Sequence, residues 1–271
     1  MSQETQRHEI TRKTVVYRMP GVEAVTVRRG MTYRATEAGP LGMDVYLPPD
    51  SKSGAARPAV VFVLGFSDVG AQKILGCPFR EMESYVSWAR LVAGSGLVAV
   101  TYTNREPAVD LRALLQYVRR NAESLGIDEN RIGMWACSGN VPLALSLLMQ
   151  EGREPLRCAA LLYGYTLDLD GSTGVAEAAR SRGFVNPCAG KSLDDLAADV
   201  PLFIARAGAD EMPGLNETLD RFVVQALGLN LPLTLVNHAT GPHAFDLFHD
   251  SETSREIIRQ VLAFLRCHLV A

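Results

Sequence analysis

The chain lacks the long apolar run that a membrane span requires, with no stretch approaching about 18 consecutive apolar residues. Its first twenty residues, MSQETQRHEITRKTVVYRMP, contain no apolar segment of the kind a secretory signal needs. It also lacks an excess of charge of one sign. There are 27 basic and 30 acidic residues among 271, a formal net charge of −3, which creates no field able to gather nucleic acid or an anionic lipid surface. The five cysteines (Cys77, Cys137, Cys158, Cys188, Cys267) are odd in number, far apart and without a C-x-x-C pair, which argues against a disulfide framework or a zinc site. The five histidines form no H-E-x-x-H and no pair at metal-ligand spacing. These absences lead to the expectation of a soluble, cytoplasmic protein that uses no metal or cofactor and has neither nucleic acid nor membrane as a partner.

What is present is apolar material, 47% of the residues against 21% charged, enough at this length for one large core and hence for a single domain over residues 1–271. Two styles of strand share it. Val25 to Arg34 and Leu41 to Leu47 partly alternate, as antiparallel strands with one wet face do. A turn-rich stretch, Pro48 to Gly54, follows. Beyond it come short, almost wholly apolar runs at Ala59 to Gly65, Leu97 to Tyr102, Ile132 to Cys137, Ala159 to Tyr163, Leu202 to Ala205 and Leu233 to Val236, the pattern of strands covered on both faces.

Helical patterns separate nearly all of these runs. Leu111, Leu114, Leu115, Val118 and Ala122 form one apolar face. Ile257, Ile258, Val261, Leu262, Leu265 and Leu269 form another, with Thr253-x-x-Glu256 as a candidate capping box. Val141 to Met149 is apolar nearly all round, as a central helix buried by every neighbour would be. Strands and helices in alternation imply a mostly parallel, doubly wound α/β sheet with antiparallel N-terminal strands. Thr166 to Val200 breaks the rhythm, is polar and glycine-bearing, and is too long for an ordinary connection, so a small cap or lid insertion is expected at 166–200.

A serine hydroxyl becomes a useful nucleophile only on a rigid turn, beside a base, with fixed donors around the developing oxyanion. Arg131-Ile-Gly-Met-Trp-Ala-Cys-Ser-Gly-Asn140 runs from an apolar strand into the central helix and places Ser138 at that corner, with small Ala136 two residues before it. The residue two after is Asn140 where G-x-S-x-G has glycine, so the pattern is degenerate. Ser67 also follows a strand but has no buried helix after it. Cys137 is the rival nucleophile, in the wrong register, since Trp135 would then stand where a small residue must meet the helix.

The chain resembles the α/β-hydrolase superfamily, and within it the dienelactone-hydrolase-like esterases and their prolyl-oligopeptidase-type relatives. The resemblance runs from about Val25 to the C-terminus. It is carried by Leu41-Gly-Met-Asp-Val-Tyr-Leu-Pro48, the strand Ala59 to Gly65, the Arg-Ile-Gly-x-Trp approach to Ser138, Ala205-Arg-Ala-Gly-Ala-Asp210 and Gly241-Pro-His-Ala-Phe245. It implies a Ser138, Asp210, His243 triad in the chain order serine, acid, histidine. Both Asp210 and His243 also follow apolar strands, at the carboxyl edge of the sheet where ligands bind in open α/β folds. Asp168 and Glu211 compete for the acid's role; His8, His238, His249 and His268 are the other histidines.

The oxyanion donors are expected to be the backbone N–H of Gly139 and, from the Leu64 to Ser67 turn, that of Phe66. The implied activity is hydrolysis of small-molecule carboxylic esters through an acyl-enzyme, without a cofactor. The alternatives are a non-catalytic ligand-binding protein on the same fold, or a peptidase or acyltransferase. Arg180, Arg182, Phe184 and Lys191 in the cap are candidates to meet the substrate.

Overall fold

The computed structural model describes residues 7–49, 56–149 and 155–270. Eight strands form one sheet: β1 (Thr26–Arg34), β2 (Leu41–Leu47), β3 (Arg57–Phe62), β4 (Val98–Tyr102), β5 (Ile127–Cys137), β6 (Ala159–Leu162), β7 (Leu202–Ala207) and β8 (Leu233–His238). Their order is β1-β2-β4-β3-β5-β6-β7-β8. β1 pairs antiparallel with β2, and β2 with β4; every later pairing is parallel. The helices are α1 (Asp68–Leu75), α2 (Glu83–Gly94), α3 (Pro107–Arg120), α4 (Ala122–Leu125), α5 (Val141–Leu148), α6 (Gly174–Arg182), α7 (Leu215–Gly228), α8 (Phe245–Phe248) and α9 (Glu252–Val270). None of the described helices is long and apolar enough to cross a membrane.

The two strand styles have the cause their patterns imply. β4 is buried at every residue, so both of its faces are covered, whereas β1 at the edge is mostly exposed. β8, the other edge, is likewise largely exposed until His238. All eight residues of α5 are buried. Burying Val141, Leu143, Leu145 and Leu148 contributes roughly 1.5–3 kcal/mol for each side chain, which holds the start of α5 firmly against β5 and β6.

Several boundaries differ from the sequence reading. The capping box at Thr253 does not form: α9 begins two residues earlier than that cap would set, at Glu252, Ser251 Oγ accepts the Ser254 N–H at 3.1 Å, and Glu256 pairs with Arg259. The better cap lies closer to the preceding turn, and Thr253 falls inside the first turn of the helix. β5 starts at Ile127, because an irregular first pairing with Arg57 extends it before its regular register with β3 begins at Ile132. Residues 50–54 of the turn-rich stretch lie outside the described residues. The excursion between β6 and β7 contains α6 and a short turn at Leu193–Asp195, and it returns Phe184 to bridge Phe66 in antiparallel fashion.

Candidate active site

β5 ends at Cys137 in extended backbone, and Ser138 then turns into the left-handed region at φ 55°. For a residue with a side chain this costs of order 1–3 kcal/mol and persists only where the surroundings enforce it. Three glycines supply the clearance. A Cβ on Gly164, after β6, would lie 2.2 Å from Val141 Cγ2 and 3.1 Å from the Ser138 carbonyl oxygen. A Cβ on Gly65, after β3, would lie 2.8 Å from the Gly139 carbonyl oxygen, and one on Gly139 would lie 2.6 Å from the Phe184 ring and 2.8 Å from that of Phe66. The corner is thus pressed between the chains leaving β3 and β6 with no room for another methyl group.

Asn140 occupies the position where the usual motif has glycine, and its side chain is used. Its Oδ1 accepts the Gly65 N–H at 2.7 Å, and its Nδ2 donates to the Tyr85 hydroxyl at 3.1 Å. The loop after β3 is pinned further along. The Leu64 N–H donates to the Tyr102 hydroxyl at 3.2 Å, and the Gly65 carbonyl accepts the Val185 N–H at 2.9 Å. With the N–H groups of Leu64 and Gly65 occupied, that of Phe66 is the next along the turn. Among the described residues neither it nor the Gly139 N–H has a protein acceptor.

The loops after β7 and β8 bring Asp210 and His243 to the same edge. They are tied together by Gly208 N–H to the His238 carbonyl at 2.8 Å and Ala209 N–H to the Gly241 carbonyl at 2.9 Å. Ser138 Oγ lies 2.9 Å from His243 Nε2, and His243 Nδ1 lies 2.6 Å from Asp210 Oδ2. The Asp210 side chain is fully buried, while that of His243 keeps 27% exposure. A carboxylate only accepts, so Nδ1 carries the ring proton and Nε2 turns its lone pair to the Ser138 hydroxyl. The other oxygen of Asp210 accepts the Met212 N–H at 2.9 Å.

The rival residues are engaged elsewhere. Both oxygens of Asp168 accept N–H groups at the start of α6, from Val175 and Ala176, at 2.8 Å each. Glu211 is exposed. His238 is buried against Ser254 and His249, His8 caps a turn near the N-terminus, and His268 packs on Phe264. Ser67 donates to the Arg105 carbonyl at 2.8 Å. Cys137 sits among Tyr85, Asn140 and Tyr163, where burial pushes its thiol up to about 12, so almost none of it is thiolate at neutral pH.

Of the cap candidates, Phe184 is buried over the corner, stacked on Tyr165 at 5.5 Å and edge-on to Phe66 at 5.7 Å. Arg180, Arg182 and Lys191 are exposed, and Lys191 pairs with Asp195. Sequence reasoning missed Asn140 as an anchor, although its departure from the glycine pattern was the signal. It also gave no account of Gly164, whose need appears only when β6 is laid beside the corner. Among the described residues no group of three or more His, Cys, Asp or Glu side chains is arranged to hold a metal ion.

The strand order, the left-handed corner after β5 and the helices around the sheet define an α/β-hydrolase fold, and solved structures of that fold match it over nearly the whole chain. An esterase of Thermogutta terrifontis, Est2 with propionate bound, superposes with a TM-score of 0.66 at 19% identity, covering 93% of this chain and 95% of the other. The same esterase phosphorylated by paraoxon gives 0.61 at 17% identity, over 94% and 96%. The esterase LipW of Mycobacterium marinum gives 0.67 at 19%, over 93% and 84%. No family model matches the chain, and neither does any curated protein sequence.

Proposed function

We propose that this protein is a serine hydrolase of small-molecule carboxylic esters, with Ser138 as nucleophile, His243 as base and Asp210 as the group that orients and stabilises the imidazolium. The observation that carries the reading is the continuous hydrogen-bonded line from Ser138 Oγ to His243, 2.9 Å, and on to Asp210, 2.6 Å, starting from a residue held at positive φ. As Oγ bonds to the ester carbonyl carbon, its proton passes to His243 Nε2. The carbonyl oxygen takes up the negative charge facing the N–H groups of Gly139 and Phe66. The tetrahedral species collapses by breaking the bond to the alkoxy oxygen, which receives the proton from Nε2 and departs as the alcohol. A water molecule repeats the sequence on the acyl-enzyme and releases the acid.

The substrate is a short-chain ester. The rings of Phe66 and Phe184 crowd the Gly139 backbone, which favours a small acyl group beside the proposed donors. Solved structures of the Thermogutta esterase hold propionate and butyrate, which supports the same size class. The motifs at Leu41 to Pro48 and Gly241 to Phe245 favour the dienelactone-hydrolase-like branch, with the 166–200 excursion serving as the cap.

A panel of aryl esters from acetyl to octanoyl, assayed with the wild type and Ser138→Ala, tests this reading together with labelling by a fluorophosphonate. Turnover greatest on the shorter esters and lost in the variant, with the label on Ser138, is expected. A wild type that neither hydrolyses esters nor takes the label would instead leave a ligand-binding protein on this fold.

A further inference from the structure

Close enough to His243 to feel its charge lies a second buried acid. Asp246, three residues later on α8, is 1% exposed. One of its oxygens accepts the Trp88 indole N–H at 2.6 Å, and the other accepts the Tyr163 hydroxyl at 2.7 Å. Tyr163, in turn, presents its ring edge-on to the His243 imidazole, with centroids 5.1 Å apart. These contacts join α2, α8 and the residue after β6 beside the candidate base.

Two features show that this arrangement is held against local cost. Tyr163 has φ 35°, a conformation that suits glycine, yet the position carries a large aromatic side chain that is 2% exposed. Such strain is kept where the surroundings demand that side chain. Asp246 has only neutral donors. No lysine or arginine among the described residues pairs with it, and burial pushes its carboxyl above the ordinary range against the pull of the Trp88 and Tyr163 hydrogen bonds. An acid removed from water without a cation is expensive. The group beside it that becomes positive is His243, which does so once in each half-reaction of the proposed cycle.

We propose that Asp246, acting through Tyr163, is a positioning residue for His243: it fixes the ring that packs against the imidazole and supplies a second negative group that stabilises the imidazolium. The inference rests on the triad reading above. The groups facing His243 are then Ser138 on the corner, Asp210 after β7, Tyr163 after β6 and Asp246 on α8. Asp246 itself is bonded to Trp88 from α2 and to Tyr163, and its charge bears on the Cys137 thiol. Its own carbonyl accepts the Val16 N–H at 2.8 Å, tying α8 to the N-terminal segment.

The experiment follows the His243 ring by NMR titration, with its resonance assigned by its loss in His243→Asn, in the wild type, Tyr163→Phe and Asp246→Asn, alongside kcat and KM for an aryl ester. Asp246→Asn, which removes the negative group, should titrate His243 at lower pH, by about half a unit or more; Tyr163→Phe, which takes from Asp246 one of the two donors that favour its charged form, should move the titration in the same direction, and both should lose about tenfold in kcat with KM within about twofold. Tyr163→Phe keeps the aromatic packing, so it decides the matter even if Asp246→Asn does not fold. Lower stability with an unmoved His243 titration and an unchanged kcat per folded molecule would overturn the proposal and leave a structural strut. A wild type inactive on every ester would defeat the functional reading, while the titration shift would still be measurable.

Discussion

The corners after β3 and β5 begin alike and finish differently. Each ends a strand buried on both faces, carries a serine and leads into a helix. At the first, Ser67 stays at φ −74°, its hydroxyl is spent on the Arg105 carbonyl, and α1 buries only Asp68 while Val69 and Ile74 face solvent. At the second, Ser138 is forced to φ 55°, its hydroxyl meets an imidazole, and α5 is buried at every position. The difference teaches that two serines at the ends of buried strands can meet quite different surroundings. A helix pressed close to the sheet makes the turn tight, the tight turn lifts the side chain off the backbone's own acceptors, and a histidine from a distant loop can then reach it.

The largest expected effect separates the two corners directly. Ser138→Ala should lower kcat on an aryl ester by at least about a thousandfold with little change in thermal stability, whereas Ser67→Ala should cost less than about threefold. Comparable losses at both positions would erase the distinction. Next comes Asn140→Gly, which restores the letter of the usual motif. It should nonetheless lower activity about tenfold and stability by about 1–2 kcal/mol, because Gly65 N–H and the Tyr85 hydroxyl lose their partner. Activity equal to or above the wild type, with an unchanged urea midpoint, would show that the loop after β3 needs no such anchor.

A smaller effect concerns the thiol next to Ser138. Since burial pushes Cys137 up to about 12 while Cys267 is exposed, iodoacetamide at neutral pH should modify Cys267 and leave both Cys137 and ester hydrolysis intact, as read by peptide mapping. Loss of activity in step with Cys137 labelling would move the chemistry by one residue.

The smallest effect lies under the loop that carries His243. His238 is 1% exposed, and burial together with the neighbouring His249 lowers its pKa. The folded protein therefore resists protonating it, while the unfolded chain takes up a proton near pH 6.5. The stability it contributes is present above that pH and is lost as pH falls through the lower, folded value. The drop in urea midpoint below pH 6.5 should be shallower in His238→Asn. An equally steep drop in the variant would assign the acid sensitivity elsewhere.

Much of this was legible before any coordinates. Unbroken apolar runs such as Val98 to Tyr102 announce strands covered on both sides, because a residue on either face would otherwise leave its hydrocarbon in water. The all-apolar stretch from Val141 announces a central helix for the same reason. Ser138 could be named because it stands where an apolar run meets the central helix, and Asp210 and His243 because the resemblance to the α/β-hydrolases points to them and each follows such a run on the one edge where parallel strands put their carboxyl ends. The cap at Thr253 was misplaced because Ser251 offers a hydroxyl at the same three-residue spacing from a helical N–H, and local sequence does not rank the two.

Sequence, then, determined which segments are buried and which strand ends share an edge, since burial and alternation are local properties written along the chain. Tertiary structure alone decided that Asn140 reaches across to Gly65, that Gly164 must lack a side chain, that Phe184 folds back over the corner, and that Tyr163, bonded to Asp246, packs against the imidazole. Each of these joins residues that no periodicity links, and hydrogen bonds and steric clearance act over a few ångströms of space whatever the distance along the chain.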